Sequence, residues 1–280
     1  MTRKEWKLKA ARALAGTDAP ALTAQMLLCH VLGISRETLV AHDAEHLGAR
    51  DEKALGALLE RRLNGEPVSY LIGTKEFYGR DFFVNPDTLI PRPETEDMID
   101  AALAHFPADS SLRFLDLGTG SGCIAVTLAA ERPNWRGAAL DISAGALSTA
   151  RRNAQVLGVA GRLDFYEADL AKPLPFAGQF GLVISNPPYV SLEEYAALDA
   201  TVRDFEPFSA LVPGPSGLEA AEAVVRNAQE LLVPGGLLLM EHGMAQGEDC
   251  RDLCRASIWQ EVRTGRDLSG KDRFLFAVRK

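Results

Sequence analysis

No apolar run in this sequence approaches the roughly 20 residues that a helix needs to cross a bilayer, so no membrane partner is expected. The opening stretch, MTRKEWKLKA, has basic residues but no hydrophobic segment of a secretory signal behind them, and a cytoplasmic chain is expected. Cysteine is scarce: Cys29, Cys123, Cys250 and Cys254 are scattered without a disulfide framework, as suits a reducing compartment. Cys250 and Cys254 could share a helix face, but with only His242 nearby they make a poor zinc site, and no metal is expected. A basic excess is missing too. Residues 1 to 75 carry 11 Lys and Arg against 9 Asp and Glu, and residues 76 to 280 carry 19 against 29, giving net charges of +2 and −10. A chain whose main work is gripping a phosphate backbone needs a basic face, so direct nucleic-acid binding is not expected.

What is present is an ordinary globular composition, 47% hydrophobic and 24% charged, over 280 residues, with room for a sizeable core and two modest domains. From Trp6 to about Leu63, Ala and Leu recur at three and four residue spacings, which predicts four or five short helices; Gly33 and Gly48 mark helix ends. His30, His42 and His46 in this stretch read as surface or cap residues. Between Pro67 and Pro93 the pattern changes to short β-prone pieces, VSYLIG and RDFFVN, a hairpin joining two domains. After Ser110 strands alternate with helices, which implies a mainly parallel sheet covered on both faces. Strands are expected at LRFLDLG, GAALDIS, RLDFYEA, FGLVISN and GGLLLMEHG, with helices after each of the first three and at GLEAAEAVVRNAQELL. The last pair, near IWQEVRT and RFLFAVRK, is joined by GRDLSGKD, too short for a crossover helix, and should be antiparallel. The expected organisation is a helical domain at 1–66, a hairpin linker at 67–93 and an α/β domain at 94–280, in a monomer.

The first βα turn reads FLDLGTGSGCIAV, with Gly118, Thr119, Gly120, Ser121 and Gly122 between strand and helix. Such glycines let a ligand lie close against backbone nitrogens at a helix start, although a packed turn with no ligand reads the same way. The spacing G-x-G-x-G is not that of a dinucleotide fingerprint and favours a different nucleotide-like ligand. Asp141, 25 residues after Asp116, ends the second strand and is placed to accept from both ribose hydroxyls, or to cap the next helix. Asp169, followed by Leu170, ends the third strand, where it could meet an adenine amino group or serve as a loop acid. The stretch VISNPPYVS then breaks a buried strand with two prolines, flanked by Asn186 and Tyr189.

FLDLGTGSG, ALDIS and SNPPY resemble the class I methyltransferases that use S-adenosylmethionine and alkylate a planar nitrogen. EPVSYLIGTKEFYGRDFFVNPDTLIPRPETE, VRDFEP and LLLMEHG sharpen this: the chain is similar, from its helical part to its C-terminus, to the glutamine methyltransferases that act on peptide chain release factors, the PrmC or HemK group. The resemblance implies a Rossmann-like domain with a mainly parallel seven-stranded sheet, preceded by a small helical domain and a β-hairpin linker. It implies S-adenosylmethionine as cofactor, S-adenosylhomocysteine as its product, and the glutamine of the release factors' GGQ motif as substrate. It assigns cofactor contacts to Gly118, Thr119, Gly120, Ser121, Gly122, Asp141, Asp169, Leu170 and Asn186, and has IPRPETE close over the cofactor, a stretch that also reads as a helix start with Pro93 early and acids in the first turn. Substrate contacts fall to Asn186, Pro187, Pro188 and Tyr189, of which Asn186, Pro187 and Tyr189 are catalytic.

The chemistry explains the loop independently. A carboxamide nitrogen is a poor nucleophile because its lone pair is delocalised into the carbonyl, so the site must work by placement and local polarity. The Asn186 side-chain oxygen and the Pro187 carbonyl can each accept one amide hydrogen, and Tyr189 can pack against the flat amide and exclude water. Arg203, Glu206, Glu241 and His242 read equally as ion pairs, caps or substrate contacts. Two other functions compete. Amino-methylation of adenine or cytosine in DNA poses the same planar-nitrogen problem but needs base flipping and a backbone grip, for which no basic run is present. A non-catalytic nucleotide-binding module would keep the pocket but has no use for Asn186 and Tyr189.

Overall fold

The computed structural model describes residues 1–176, 180–267 and 270–280, and the chain divides into two units, Met1–Thr74 with Asp199–Phe205, and Lys75–Leu198 with Glu206–Lys280. The first unit contains helices α1 (Arg3–Ala13), α2 (Pro20–Leu32), α3 (Arg36–Ala41), α4 (Ala49–Leu63) and α5 (Val68–Ile72). A capping box between Thr2 and Glu5 starts α1. Gly33, in the left-handed region at φ 63°, ends α2, and Gly48 is the N-cap of α4. Their apolar faces meet in a core of Trp6, Ala10, Leu27, Leu28, Leu39 and Leu55. The β-prone piece VSYLIG is helical, which corrects the sequence expectation. Pro67 and Gly73 bracket it, and Ser69, Tyr70 and Leu71 are all buried, an arrangement that an alternating strand would not give.

A hairpin of β1 (Thr74–Phe77) and β2 (Arg80–Phe83) follows. Its two turn residues, Tyr78 and Gly79, both have positive φ, the geometry that matches strand twist in a two-residue turn. Tyr78 is held there by bonds from its amide to Glu96 and from its hydroxyl to Asp100. Phe77 and Phe82 enter the core of the second unit with Met98 and Ile99.

That unit continues with α6 (Glu94–His105), β3 (Arg113–Leu117), α7 (Cys123–Glu131), β4 (Arg136–Asp141), α8 (Ala144–Val156), β5 (Leu163–Glu167) and β6 (Phe180–Ser185). After β6 come α9 (Leu192–Ala197), the one-turn α10 (Ala200–Arg203) of the first unit, α11 (Phe208–Leu211), α12 (Glu219–Leu231), β7 (Leu232–Glu241), α13 (Gly247–Leu253), β8 (Trp259–Arg266) and β9 (Asp272–Arg279). The seven-stranded sheet has the order β5, β4, β3, β6, β7, β9, β8. The pairs from β5 through β7 are parallel, and β9 is antiparallel to both β7 and β8, as the short final connection predicts. Alternate strand residues face opposite layers. Phe114, Leu182 and Ile184 pack on one side with α6 and α7, and Leu115, Leu117 and Val183 pack on the other with α12.

The helix expected after the third strand is absent among the described residues. Pro173 and Pro175 lie in that connection and remove the amides a helix needs. Leu268 and Ser269 of the expected final turn lie outside the described residues. No described helix is long and apolar enough to cross a membrane. From β3 the chain builds outward through β4 and β5, then returns to pair β6 on the other side of β3. The crevice beyond the carboxyl ends of β3, β4 and β6 is therefore where an open α/β sheet holds a ligand.

Candidate active site

The glycine turn leaves β3 at this crevice. Gly118, Gly120 and Gly122 have φ of 75°, 56° and 81°, a region that costs side-chain-bearing residues energy. Their roles differ. A Cβ on Gly118 or Gly120 would meet nothing within 4 Å, whereas one on Gly122 would stand 3.0 Å from the Cβ of Ala150. Gly122 thus permits α7 to pack on α8, and the other two leave open space over the backbone. The amides of Gly118 and Thr119 both donate to the Leu140 carbonyl at 2.9 Å. From below, the Thr119 hydroxyl donates to Asp116 Oδ2 at 2.6 Å, and burial pushes the Asp116 carboxyl up to about 7. From the side, the buried Asn153 of α8 donates to the Ser121 carbonyl at 2.8 Å.

Asp141 ends β4 facing this turn. Its Oδ2 accepts from the Gly120 amide at 2.8 Å and its Oδ1 from the Ser143 amide at 2.9 Å. Burial raises its carboxyl, and these backbone bonds oppose the rise. Each oxygen keeps a lone pair for a further donor. A cavity of about 280 Å³ opens here, lined by Gly118, Thr119, Gly120, Ser121, Asp141, Asp169 and Leu170. Ile142, 60% exposed, supplies an apolar wall. Asn186 and Pro188 line the same cavity, with Asp87, Arg92 and Thr95 beside them. Of the cofactor and substrate contacts expected from the sequence, Gly122, Pro187 and Tyr189 do not line it.

β6 ends at Ser185, whose hydroxyl donates to the Leu117 carbonyl at 2.6 Å and closes the ladder against β3. The two prolines then stop the strand. Asn186 Nδ2 donates to the Thr95 hydroxyl at 3.1 Å, and that hydroxyl donates to Glu241 Oε2 at 2.6 Å. Asn186 Oδ1 is buried and has no hydrogen-bond partner among the described residues. Burial pushes the Glu241 carboxyl up to about 7. The Tyr189 ring lies by Gly243, its carbonyl accepts from Gln246 Nε2 at 3.0 Å, and burial pushes its hydroxyl up to about 12.

The residues whose sequence reading was open separate here. Glu206 pairs with Arg92 at 2.6 Å and accepts from the Ile90 amide at 3.1 Å, tying down the IPRP stretch ahead of α6. Arg203 pairs with Asp204 in the first unit. His242 Nδ1 lies 2.8 Å from the Gly243 carbonyl. Glu241 belongs to the Asn186 network; it lies in LLLMEHG and Thr95 lies in IPRPETE, but neither stretch by itself links its residue to Asn186. The available signals were a threonine at the inward spacing of Thr95, Met98, Ile99 and Ala102 on α6, and a carboxylate at the end of the apolar run LLLM.

The comparisons with known proteins agree with this architecture. A family model described as the PrmC N-terminal domain matches residues 5–73, and one described as the methyltransferase small domain matches residues 97–205. A solved methyltransferase from Pyrococcus furiosus shares the fold, with a TM-score of 0.53 at 18% identity over 79% of this chain and 96% of that one. The release factor glutamine methyltransferase of Nitratidesulfovibrio vulgaris is 49% identical over 267 residues, 95% of this chain and 90% of that relative. The enzyme of the same name from Cereibacter sphaeroides is 44% identical over 265 residues, 95% of this chain and 93% of that relative. With both units matched and nearly the whole length shared at such identity, the chain belongs to the release factor glutamine methyltransferase family.

Proposed function

We propose that this chain transfers a methyl group from S-adenosylmethionine to the side-chain amide nitrogen of a glutamine in peptide chain release factors, within their GGQ motif. The observation that carries this is Asn186, which lines a cavity together with Asp141 and the glycine turn and whose Oδ1 is a buried acceptor without a partner among the described residues. An unmet buried acceptor is costly unless a ligand donates to it, and a primary amide brings the donors. Amino-methylation of a nucleic-acid base would make a similar demand, and the named relatives favour glutamine.

The residues present fit the cofactor. Gly118 and Gly120 leave an open cradle over backbone, Asp141 keeps acceptor capacity for ribose hydroxyls, and Ile142 offers an apolar face to a base. Asp169 and Leu170 complete that end of the cavity. When bound, S-adenosylmethionine supplies an electrophilic methyl on a sulfonium. The protein's part is placement: Asn186 Oδ1 and the Pro187 carbonyl each take one amide hydrogen and fix the plane of the incoming group. A proline carbonyl does this without a competing donor on its own nitrogen. Tyr189, behind the loop, excludes water. Placement of this kind is the main lever on a nucleophile that no base usefully deprotonates.

The helical unit is assigned the docking of the protein substrate, since one glutamine side chain offers little area for specificity. On this reading the chain works in the cytoplasm as a monomer, with release factors and not nucleic acid as its partners. Incubation with labelled S-adenosylmethionine and purified release factors tests the function. Label on a glutamine side-chain nitrogen, located by fragmentation mass spectrometry, is expected. Cofactor binding with no transfer to any release factor would overturn it in favour of a non-catalytic module.

A further inference from the structure

The bond from Asn186 to Thr95 has a direction, and that direction has a source. Thr95 is 1% exposed and its hydroxyl has one hydrogen, which goes to Glu241 Oε2 at 2.6 Å. When Glu241 is ionised its carboxylate only accepts, so the hydroxyl donates to it and is left with lone pairs for its other neighbour. That neighbour is Asn186, which meets a lone pair with its nitrogen, at 3.1 Å. The carboxamide is flat, so fixing the nitrogen on Thr95 turns the oxygen to the opposite side, and that buried oxygen is the atom without a partner among the described residues. We propose that Thr95 and Glu241 are positioning residues for methyl transfer, with Glu241 setting the polarity of the Thr95 hydroxyl and Thr95 holding Asn186 with its oxygen toward the incoming amide. This rests on the role given to Asn186 above.

The alternative arrangement shows why polarity matters. A neutral group at position 241 can donate to Thr95, which frees the Thr95 hydroxyl to donate to Asn186. Asn186 would then turn its oxygen inward and present two hydrogens to a substrate amide that also brings hydrogens. Donor would face donor at the reacting nitrogen. Glu241 itself touches neither ligand in this arrangement: it is 2% exposed at the end of β7, a strand between β6 and β9.

Single-turnover transfer to intact release factor at saturating cofactor, alongside calorimetry of cofactor binding, tests the proposal with Thr95→Val, Thr95→Ser and Glu241→Gln. Thr95→Val keeps the shape and removes the hydroxyl; a rate lower by about tenfold to a hundredfold is expected, the scale of a misaimed reacting group. Cofactor affinity should stay within a few fold. Thr95→Ser, which restores the hydroxyl, should recover most of the rate, a rescue that loss of packing alone would not give. Glu241→Gln should be slow as well, with the loss in the transfer rate rather than in the release factor concentration giving half-maximal rate. Thr95→Val at the wild-type rate while Asn186→Ala is inactive would overturn the relay and leave the role of Asn186 intact. Wild-type rates for both variants would overturn the role of Asn186 itself. Should Thr95→Val bind no cofactor, Glu241→Gln decides: a wild-type rate overturns the proposal, and a slow rate with retained cofactor affinity supports it.

Discussion

Asn186 donates its side-chain nitrogen to the hydroxyl of Thr95 over 3.1 Å, a bond between residues 91 positions apart in the chain. It joins the loop after β6 to the first turn of α6, so the residue that meets the substrate is oriented by a helix and not by the loop alone. Asn186→Asp would put a second carboxylate on the single Thr95 hydrogen, in competition with Glu241. Transfer by Asn186→Asp is therefore expected to be nearly as slow as by an alanine variant, although size and shape are kept. Single-turnover rates compare the two. A rate near wild type would mean that any acceptor suffices there.

Glu241 is expected to link activity and stability in opposite directions. Arg92 and Glu94 near the start of α6, Arg273 on β9, Tyr189 after β6 and Cys123 at the start of α7 interact with it electrostatically, yet burial prevails and lifts its carboxyl from 4.5 to about 7. A carboxyl raised on folding contributes stability that is fully present below its unfolded value and is lost as pH rises through about 7. Transfer needs the ionised form, so the wild-type rate should fall as pH drops through that value. Glu241→Gln should lack this acid limb, be slow throughout, and resist urea at least as well as wild type at about pH 8. Lower urea resistance of the variant at that pH would contradict the sign.

Asp141→Ala removes the acceptor for the Gly120 and Ser143 amides as well as the one assigned to the ribose. A loss on the order of 1.5 to 3 kcal/mol per charge-assisted bond is expected in cofactor binding. Calorimetry on a folded variant measures it. Unchanged affinity would remove Asp141 from the site.

The three glycines of the turn should separate by experiment. Gly122→Ala puts a methyl 3.0 Å from Ala150 Cβ at φ 81°, so overpacking of about 1 to 3 kcal/mol adds to the backbone strain. Gly120→Ala meets nothing within 4 Å and bears the strain of its positive φ alone. Urea unfolding should therefore rank Gly122→Ala as the less stable variant, and the reverse order would contradict the packing role of Gly122.

The site residues legible in the sequence are those that stand together at strand ends: the turn at Gly118 to Gly122, Asp141, and the Asn-Pro-Pro-Tyr stretch. Each pairs a strand pattern with residues that cannot continue it, a signal contained in a short window. Thr95 lies 91 residues from Asn186 and 146 from Glu241, so only folding brings the three together. Helix α5 was hidden for another reason. Val68, Tyr70 and Ile72 have strand preference, but Tyr70 and Leu71 are both buried, and burial outweighs local preference. The absence of a helix among the described residues after β5 was legible in the sequence, since Pro173 and Pro175 lie in that connection.

Single-turnover methyl transfer by Asn186→Ala, with cofactor affinity measured on the same preparation, bears most directly on the central claim. Without the acceptor the amide is free to rotate, and a misplaced reacting atom costs on the order of a hundredfold in rate before any lost electrostatic stabilisation. The expected result is a rate reduced by at least about that factor, with cofactor affinity within a few fold of wild type. A rate close to wild type would contradict the claim and leave Asn-Pro-Pro-Tyr as a stiff strand-end loop.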